Sequence, residues 1–445
     1  MAQLKLFGSA RGGARVAKRG KKEKPARQKK PLKALAIVLT VLLCLEGLYF
    51  LCIYSNIPFI VKYRTIYINT AMNTMRHQWL ATYFIPNNVI DKVRYEYGLQ
   101  VAASNGKESQ WGNAGASAEV TKPTVNEIEA EIVEEEKPDP AEQARLAREA
   151  FFEVFWEIDE ASMDAYVAEH PDVIANGWDS IHINEAGIED EGTNIESIYG
   201  EQVLGIDAAN GVLLLRVKGK GYRGVLAVGK NPAALSVETC STYGTVGQKI
   251  GVTAEEHDGV LAMNGSGFPD PGGAGKGERV AGYAMSNGVE YGSHFTQWAY
   301  KRIELREDNR FYIKDASAPT GDGTTDATEF QPAMIIDGVK YTTDVWTDSN
   351  PRACIGQSDK YEILMLVIEG RLWLEGINGT SVNTCSDILL QHGCMQAMNL
   401  DGGSSAMMWF DGKYVMRSSS PDNRYNGGRP APNAWVYKAA GTFEE

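Results

Sequence analysis

The feature that most constrains this chain is an apolar run close to its N-terminus. Residues 34–53 are apolar almost throughout, and Glu46 is their one acidic interruption. About 20 consecutive apolar residues are enough to cross a bilayer as a helix. The run therefore predicts a transmembrane anchor over residues 34–54.

A strongly basic segment precedes this run. Residues 1–33 contain twelve Lys/Arg and one acidic residue, Glu23, which is a balance of +11. The whole chain has a net charge of −13, so the rest of it carries −24. Because basic residues beside a membrane span stay in the cytoplasm, residues 1–33 are predicted to be a cytoplasmic tail. The remainder is then extracellular, in a single-pass protein of the cell membrane.

Two other interpretations of these segments are disfavoured. A cleaved signal peptide also combines a basic start with an apolar core, but here both regions are long, and residues 54–58 lack the small side chains of a cleavage site. Nucleic-acid binding is not predicted, because the acidic body would repel a phosphate backbone. The membrane, contacted through the N-terminal helix, is the expected partner.

The next segments differ in composition. Residues 55–100 are amphipathic and rich in aromatic side chains, which predicts a helical stalk beside the membrane. Residues 101–139 have few apolar groups and end in an acidic run, which predicts a flexible linker. Residues 140–171 are a predicted helical lead-in, whose apolar stripe consists of Leu146, Ala150, Val154 and Ile158, with Phe151 and Phe155 beside it.

From residue 172 to about 440 the pattern changes to short apolar strands separated by turns. The run 363–368 is continuously apolar, which predicts a strand buried on both faces. A helix is predicted over 382–392, with Ser381 as its N-cap and Gly393 at its C-terminal end. The fold class predicted is α+β, with a mixed β-sheet and flanking helices.

No cofactor or metal is predicted. Asp270, Glu278 and Asp401 are possible oxygen ligands, but no metal-loop spacing connects them. There is no C-x-x-C pair, so a zinc site is not expected. Four cysteines lie in the predicted extracellular part, where three disulfide pairings or free buried thiols are equally compatible with the sequence: Cys240, Cys354, Cys385 and Cys394.

The segment richest in functional groups is residues 399–405, Asn-Leu-Asp-Gly-Gly-Ser-Ser, between two apolar runs. It predicts a strand, a tight turn and a second strand. Paired glycines let a ligand approach the backbone closely. A carboxyl and two hydroxyls at this turn suit the binding of an anion or the activation of a water, although Asp-Gly-Gly is also ordinary hairpin sequence.

Four further segments carry similar clusters at the ends of predicted strands. They are Asn-Gly-Ser-Gly-Phe at 264–268, Pro-Arg and Ile-Gly-Gln within 351–357, Glu-Gly-Arg at 369–371, and Gly-Arg-Pro at 428–430. Together with residues 399–405 they resemble the phosphodiester glycosidase family, in the form found on bacterial cell surfaces. The resemblance extends from about residue 203 to 437. Two positions depart from the family pattern: Glu369 replaces the usual Asp, and Ala406 stands where a third serine is common.

The resemblance implies cleavage of the bond between an anomeric carbon and a phosphate oxygen. Asp401 is the first candidate, and Glu369 the second, for a carboxylate that activates water or stabilises an oxocarbenium-like centre. Arg groups hold a diester anion through a planar fork. The candidate substrate-binding residues are Asn264, Arg352, Arg371, Gly402, Gly403, Ser404, Ser405 and Arg429.

Alternatives remain open at this stage. Glu369 suits an ion pair with an arginine nearly as well as catalysis, and each arginine could form a surface ion pair. A serine hydrolase is disfavoured, because Gly402–Ala406 lacks the final glycine of G-x-S-x-G. A non-catalytic protein that binds or assembles cell-wall glycan phosphates would use the same cleft. The sequence leaves the glycan and the oligomeric state undetermined.

Overall fold

A computed structural model describes residues 30–74, 77–102, 107–111, 139–188, 192–296, 300–341 and 347–442. Most of the predicted tail (1–29) and of the predicted linker (112–138) lies outside these residues. The chain forms two compact units, residues 1–61 and 62–445.

In the first unit, helix α1 spans Lys30–Tyr54. Its residues Lys33–Tyr54 form a helix long and apolar enough to cross a membrane, and among the described residues no second helix meets that criterion. A signal sequence near an N-terminus has the same length and composition. The predicted span thus agrees with the observed helix.

The second unit contains the remaining helices and all the strands of the described chain. The helices are α2 (Pro58–Met72, which begins in the first unit), α3 (Trp79–Thr82), α4 (Asn87–Ala102), α5 (Pro140–Val154), α6 (Glu160–Glu169), α7 (Ile250–Glu256) and α8 (Val382–Gln391). The strands are β1 (His182–Asn184), β2 (Gln202–Asp207), β3 (Val212–Gly219), β4 (Tyr222–Gly229), β5 (Leu235–Thr239), β6 (Gly259–Asn264), β7 (Tyr283–Ser286), β8 (Val289–Gly292), β9 (Lys301–Arg306), β10 (Phe311–Asp315), β11 (Thr324–Phe330), β12 (Ala333–Ile336), β13 (Val339–Lys340), β14 (Arg352–Ser358), β15 (Ile363–Ile368), β16 (Cys394–Asn399), β17 (Met408–Phe410), β18 (Lys413–Tyr414) and β19 (Asn433–Lys438).

These strands form three sheets. The largest has nine strands in the order β1-β2-β3-β4-β15-β14-β16-β12-β13. The two smaller sheets have the orders β10-β9-β11-β7-β8 and β18-β17-β6-β19-β5. The predicted α+β class is confirmed. The sheet is not mixed as predicted, however: each strand pairing in the described part of the chain is antiparallel.

The nine-stranded sheet is covered on both faces. In β15 all six side chains are buried, and alternate residues belong to different cores. Ile363, Met365 and Val367 pack with apolar side chains of the two smaller sheets. Leu364, Leu366 and Ile368 pack with side chains of α5, α6 and α8. The continuously apolar sequence of β15 is therefore explained, as predicted, by burial on both sides.

The lead-in helix differs from its prediction. The chain breaks after Val154 and starts a new helix, α6, where the Asp159 carboxylate accepts a hydrogen bond from the Ser162 amide. Leu146 and Val154 of the predicted stripe are exposed, whereas the Phe residues beside the stripe are buried. The N-cap and the larger apolar area of the aromatic rings outweigh the regular spacing. Helix α8 matches its prediction closely, with the Ser381 hydroxyl capping Thr384.

The first part of the predicted linker is bound to the body. The Ser109 amide donates to the Ile313 carbonyl (3.0 Å), and the Ile313 amide donates to the Ser109 hydroxyl (2.7 Å). The Trp111 indole N–H donates to the Phe311 carbonyl. Residues 107–111 therefore lie along β10 instead of being free in solution.

The cysteines of the body are present as thiols. Cys240, Cys354, Cys385 and Cys394 are all buried and free. Burial raises the pKa of the Cys354 and Cys394 thiols, which keeps them protonated and unreactive.

Candidate active site

The strand order places the C-terminal ends of β15 and β16 at the same end of the large sheet. Both strands pair antiparallel with β14, which lies between them. Ile368 at the end of β15 is opposite Arg352, and Asn399 at the end of β16 is opposite Cys354. The residues that follow β15 and β16 therefore flank the start of β14.

The glycine turn after β16 crosses over the chain that leads into β14. The Gly403 amide donates to the Pro351 carbonyl oxygen (3.0 Å). A Cβ at Gly402 would lie 2.6 Å from that same oxygen, so no side chain fits there. Gly403 has a φ of +62°, which favours glycine. Both glycines are thus required by the backbone of the turn itself.

Asn264, at the end of β6, holds the two sides of this turn together. Its side-chain N–H donates to the Asp401 carbonyl oxygen (2.7 Å), and its side-chain oxygen accepts from the Met407 amide (3.1 Å). The residue is 1% exposed. Asn264 was predicted to bind substrate. In the structure its side chain instead forms hydrogen bonds that hold the backbone around Asp401 in position.

The Asp401 side chain is partly exposed, but protein atoms surround most of its carboxyl group. Burial raises its pKa from 3.8 to about 6, and the neighbouring Asp270 acts in the same direction. A hydrogen bond from Ser405 and the charges of Arg429 and Arg371 act in the opposite direction. In the described part of the chain no ion pair of Asp401 lies within 4.0 Å. The carboxyl is consequently near an arginine pair but not neutralised by direct contact.

Arg371 lies against the turn at Gly403. It follows β15 with a φ of +59°, an unusual value for a residue with a side chain. A Cβ at Gly403 would lie 3.2 Å from its Nη1, and its Nη2 donates to the Asn350 side-chain oxygen (3.0 Å). Burial, together with the charge of Arg352, lowers its pKa to about 10. Among the ion pairs of the described residues none includes Arg371, so its fork is available to an anion.

Arg429 is already paired. Its two terminal nitrogens contact the two oxygens of Asp270 at 2.7 Å each. Nη1 also lies 3.4 Å from the Ser404 hydroxyl, and the guanidinium lies 4.7 Å from the centre of the Phe268 ring. Arg429 thus links the 264–277 loop to the glycine turn and contributes a partly neutralised charge.

Arg352 is a buried support instead of the predicted substrate contact. Its Nε donates to the Thr380 carbonyl (3.1 Å), and its Nη2 donates to the Asp348 carbonyl (2.7 Å) and pairs with the Asp348 carboxylate (3.1 Å). Asp348 also accepts from the Asn350 side chain (2.8 Å), and Asn350 in turn contacts Arg371. Arg352 therefore supports the position of Arg371 through two intermediate residues.

The structure also differs from the catalytic interpretation of Glu369. This carboxylate is 1% exposed and lies between two arginines. Arg223 donates to both of its oxygens at 3.1 Å, and Arg417 contacts it through its guanidinium (3.2 Å) and its backbone amide (2.7 Å). Glu369 thus forms the buried ion pair that was its alternative interpretation, and its partners are Arg223 and Arg417.

Three residues of the site were missed by the sequence reasoning. Asp348 and Asn350 precede the Pro351-Arg352 motif by only a few positions, so their proximity to it was a usable signal. Tyr300 gave no local signal. Burial raises the pKa of the Tyr300 phenol, and the negative charge of Asp401 adds to that effect, which shows that the two groups are close enough to interact.

No group of three or more His, Cys, Asp and Glu suited to a metal ion occurs in the residues that the structure describes. Asp270, one of the oxygen ligands considered above, is occupied by Arg429.

Asp401, whose pKa is raised, and Arg371, which forms no ion pair among the described residues, thus lie at the same glycine turn of an α+β domain. Residues 257–438 match the family model for phosphodiester glycosidases, and this segment includes all five motifs named above. The predicted resemblance to the phosphodiester glycosidase family is therefore confirmed for residues 257–438.

Among curated proteins, the chain is similar to the SPbeta prophage-derived uncharacterized protein YomE of Bacillus subtilis (strain 168). The two are 25% identical over 191 residues, which are 40% of this chain and 28% of the relative. The chain thus spans less than a third of the length of that relative.

Among solved structures, the chain is similar to the catalytic domain of zebrafish N-acetylglucosamine-1-phosphodiester alpha-N-acetylglucosaminidase, auto-inhibited by its pro-peptide. The TM-score is 0.42 and the identity 15%, over 51% of this chain and 82% of that one. A hypothetical protein from Synechocystis gives a TM-score of 0.36 at 14% identity, over 53% and 63% of the two chains. A putative exported protein from Burkholderia pseudomallei K96243 gives 0.32 at 14% identity, over 49% and 74%.

Proposed function

We propose that this protein is a glycosidase that hydrolyses the sugar–phosphate bond of a glycan phosphodiester, such as a diester of N-acetylglucosamine 1-phosphate. The observation that carries the proposal is the proximity of two groups at one glycine turn: Asp401, whose pKa is raised to about 6, and Arg371, a half-buried arginine that forms no ion pair with a carboxylate among the described residues. Perturbed carboxyls next to unsatisfied cations are typical of catalytic sites.

In this proposal the two groups have separate roles. Arg371 holds the charge of the diester, with the Ser404 hydroxyl and the Gly402 amide as further donors. The predicted donors Gly403 and Ser405 are already used, since the Gly403 amide donates to the Pro351 carbonyl and the Ser405 hydroxyl to Asp401. Asp401, deprotonated, activates a water or stabilises positive charge at the anomeric carbon. Phosphate leaves readily, so little acid catalysis is needed at the bridging oxygen.

The other predicted site residues become positioning residues. Asn264 fixes the backbone of Asp401, and Arg352 supports Arg371 through Asp348 and Asn350. Arg429 reaches the turn through Ser404 while paired with Asp270. Glu369 anchors the segment before Arg371 by its ion pairs with Arg223 and Arg417.

The proposed location is the outer face of the cell membrane. Helix α1 is the anchor, residues 1–33 are the cytoplasmic tail, residues 55–100 the stalk, and residues 172–440 the extracellular catalytic domain. The proposed role is in the metabolism of an exopolysaccharide or a cell-wall glycopolymer. The length and apolar character of Lys33–Tyr54 and the basic residues before it support this arrangement.

The test is sugar release by the full chain in detergent from a UDP-linked or chromogenic N-acetylglucosamine phosphodiester. We expect release by the unmodified protein and a loss of at least about a hundredfold in Asp401→Asn and Arg371→Ala, because each removes a group that acts directly on the reacting atoms. Asp91→Asn and Arg145→Ala, which change exposed residues of α4 and α5, are the matched controls.

Two outcomes would contradict the proposal. Full release by Asp401→Asn would remove the proposed catalytic group. Binding of the diester without release by the unmodified protein would favour the non-catalytic glycan-phosphate binding protein instead.

A further inference from the structure

The surroundings of Asp401 are chemically asymmetric. The Arg371 guanidinium, at Gly403, and the Ser404 hydroxyl, near Arg429, provide a polar, cationic side. Aromatic rings lie near Asp401 beyond Gly267, a residue of the 264–268 motif. The proposed reaction uses only the first of these two sides.

Gly267 separates Asp401 from the first of these rings. A Cβ at Gly267 would lie 3.1 Å from the ring edge of Phe330, the last residue of β11, and 4.0 Å from the Asp401 Cβ. Phe330 and Asp401 thus flank the same point of the backbone. A larger residue at 267 would have to displace the ring.

Two further aromatic side chains extend this surface. The Tyr300 ring lies 6.3 Å from Phe330, edge to face, and stacks on Phe295 at 3.8 Å between ring centres. The raised pKa of Tyr300 responds to the charge of Asp401, in agreement with this placement. All three side chains keep part of their surface exposed. We call Phe295, Tyr300 and Phe330 the aromatic wall.

We infer that the aromatic wall binds the sugar ring of the substrate, while Arg371 holds the phosphate. A sugar ring has an apolar C–H face and polar edges, so it stacks on an aromatic surface that remains partly open to solvent. The substrate then lies across Asp401, with the anomeric carbon between the two sides. This inference rests on the proposed function for its substrate class and adds the orientation of that substrate.

The experiment measures binding, so that it does not depend on turnover. The full chain carrying Asp401→Asn, in detergent, is titrated with N-acetylglucosamine 1-phosphate and, separately, with inorganic phosphate. We expect Tyr300→Ala to weaken binding of the sugar phosphate about tenfold and to leave the affinity for inorganic phosphate unchanged. Tyr300→Phe, which keeps the ring face, should restore the affinity that is lost in Tyr300→Ala.

Two further variants define the two sides. Arg371→Ala should weaken binding of both ligands, because both present phosphate. Tyr95→Ala, which removes an exposed ring of α4, is the matched control and should change neither affinity. Thermal unfolding of each variant confirms that it is folded.

The inference is overturned if Tyr300→Ala binds the sugar phosphate as tightly as its parent, or if it loses both ligands in equal measure. It is also overturned if the parent does not bind the sugar phosphate more tightly than inorganic phosphate. Failure of the proposed function gives a different pattern: the unmodified protein releases no sugar, yet the selective loss in Tyr300→Ala persists.

Discussion

Two carboxyls of this domain show how surroundings determine the role of one functional group. Asp401 lies near Arg371 and Arg429 without an ion pair within 4.0 Å in the described residues, and its pKa is raised to about 6. Glu369 is held by direct contacts with two arginines. Asp401 can therefore gain and lose a proton near pH 6, whereas the Glu369 carboxylate is used in structural contacts with two guanidinium groups.

Sugar release should depend on the ionisation of Asp401. Because the proposed role needs the deprotonated carboxyl, kcat/KM should rise about tenfold per pH unit below pH 6 and level off above it. The measurement is kcat/KM between pH 4.5 and 8.5. A midpoint near pH 4, the ordinary value for an aspartate, would show that the carboxyl acting in the reaction is not buried as Asp401 is.

Asp401 should also make the fold less stable at alkaline pH. A folded pKa above the unfolded one gives a stabilisation that is fully present below about pH 4 and is lost as the pH rises through about 6. Because asparagine does not ionise, Asp401→Asn keeps this contribution to stability across the pH range. The variant should therefore be more stable than the unmodified protein at pH 8, by about 2 to 3 kcal/mol, and equal to it at pH 4. Denaturant unfolding at the two pH values measures this, and equal stabilities at pH 8 would contradict it.

Glu369→Gln should reduce stability far more than catalysis. The substitution removes the counter-charge shared by the half-buried Arg223 and the buried Arg417, and Arg417 keeps only its contact with Glu375 at the surface, so the expected cost is about 3 kcal/mol. Sugar release per folded molecule should fall by less than about tenfold. Glu153→Gln, an exposed change on α5, is the control. A stable Glu369→Gln protein with activity as low as that of Asp401→Asn would make Glu369 catalytic after all.

At the scale of elements, the glycine turn after β16 positions Arg371 relative to Asp401. Gly402 is fixed by the approach of Pro351, and Gly403 by its positive φ and by Arg371 above it. The turn thus sets the distance between the anion-binding arginine and the carboxyl.

Gly403→Ala should raise KM for the diester about tenfold or more, because the added methyl lies 3.2 Å from the Arg371 guanidinium and must displace it. Strain from the left-handed backbone should cost about 1 to 2 kcal/mol of stability in addition. Gly412→Ala is a matched control, since Gly412 has a φ of +80° but no atom within 4 Å of an added Cβ. Equal KM values for the two variants would show that Arg371 is not displaced.

Local patterns predicted the elements of this site better than its contacts. The apolar run of β15, the cap of α8 and the paired glycines at 402–403 were all apparent in the sequence, because each reflects a local physical requirement. The break before α6 was missed, since the Asp159 cap and the burial of neighbouring rings overrode the apolar spacing. The contacts of Glu369 and Arg352 depend on residues distant in sequence or on irregular loops, which periodicity does not encode.

At the scale of the molecule, α4 and the end of α2, which belong to the predicted stalk, contact the body that carries the site. Tyr97 of α4 packs against the core on the helical side of the large sheet. The Asn73 side chain, just after α2, donates to the Asp348 carboxylate at 3.4 Å. Asp348 also holds Arg352 and Asn350. The predicted stalk therefore contacts the group of residues that supports Arg371.

The attachment of residues 107–111 to β10 has a practical consequence for proteolysis. Trp111, which precedes residues 112–138, and Phe151 of α5, which follows them, both contact the second unit. A protease that cuts within 112–138 should produce two polypeptides that elute together from a gel-filtration column in detergent and separate only in a denaturing gel. Separation under native conditions would contradict this. If the fragments stay together, a cut within 112–138 does not by itself release the domain that carries Asp401 from helix α1.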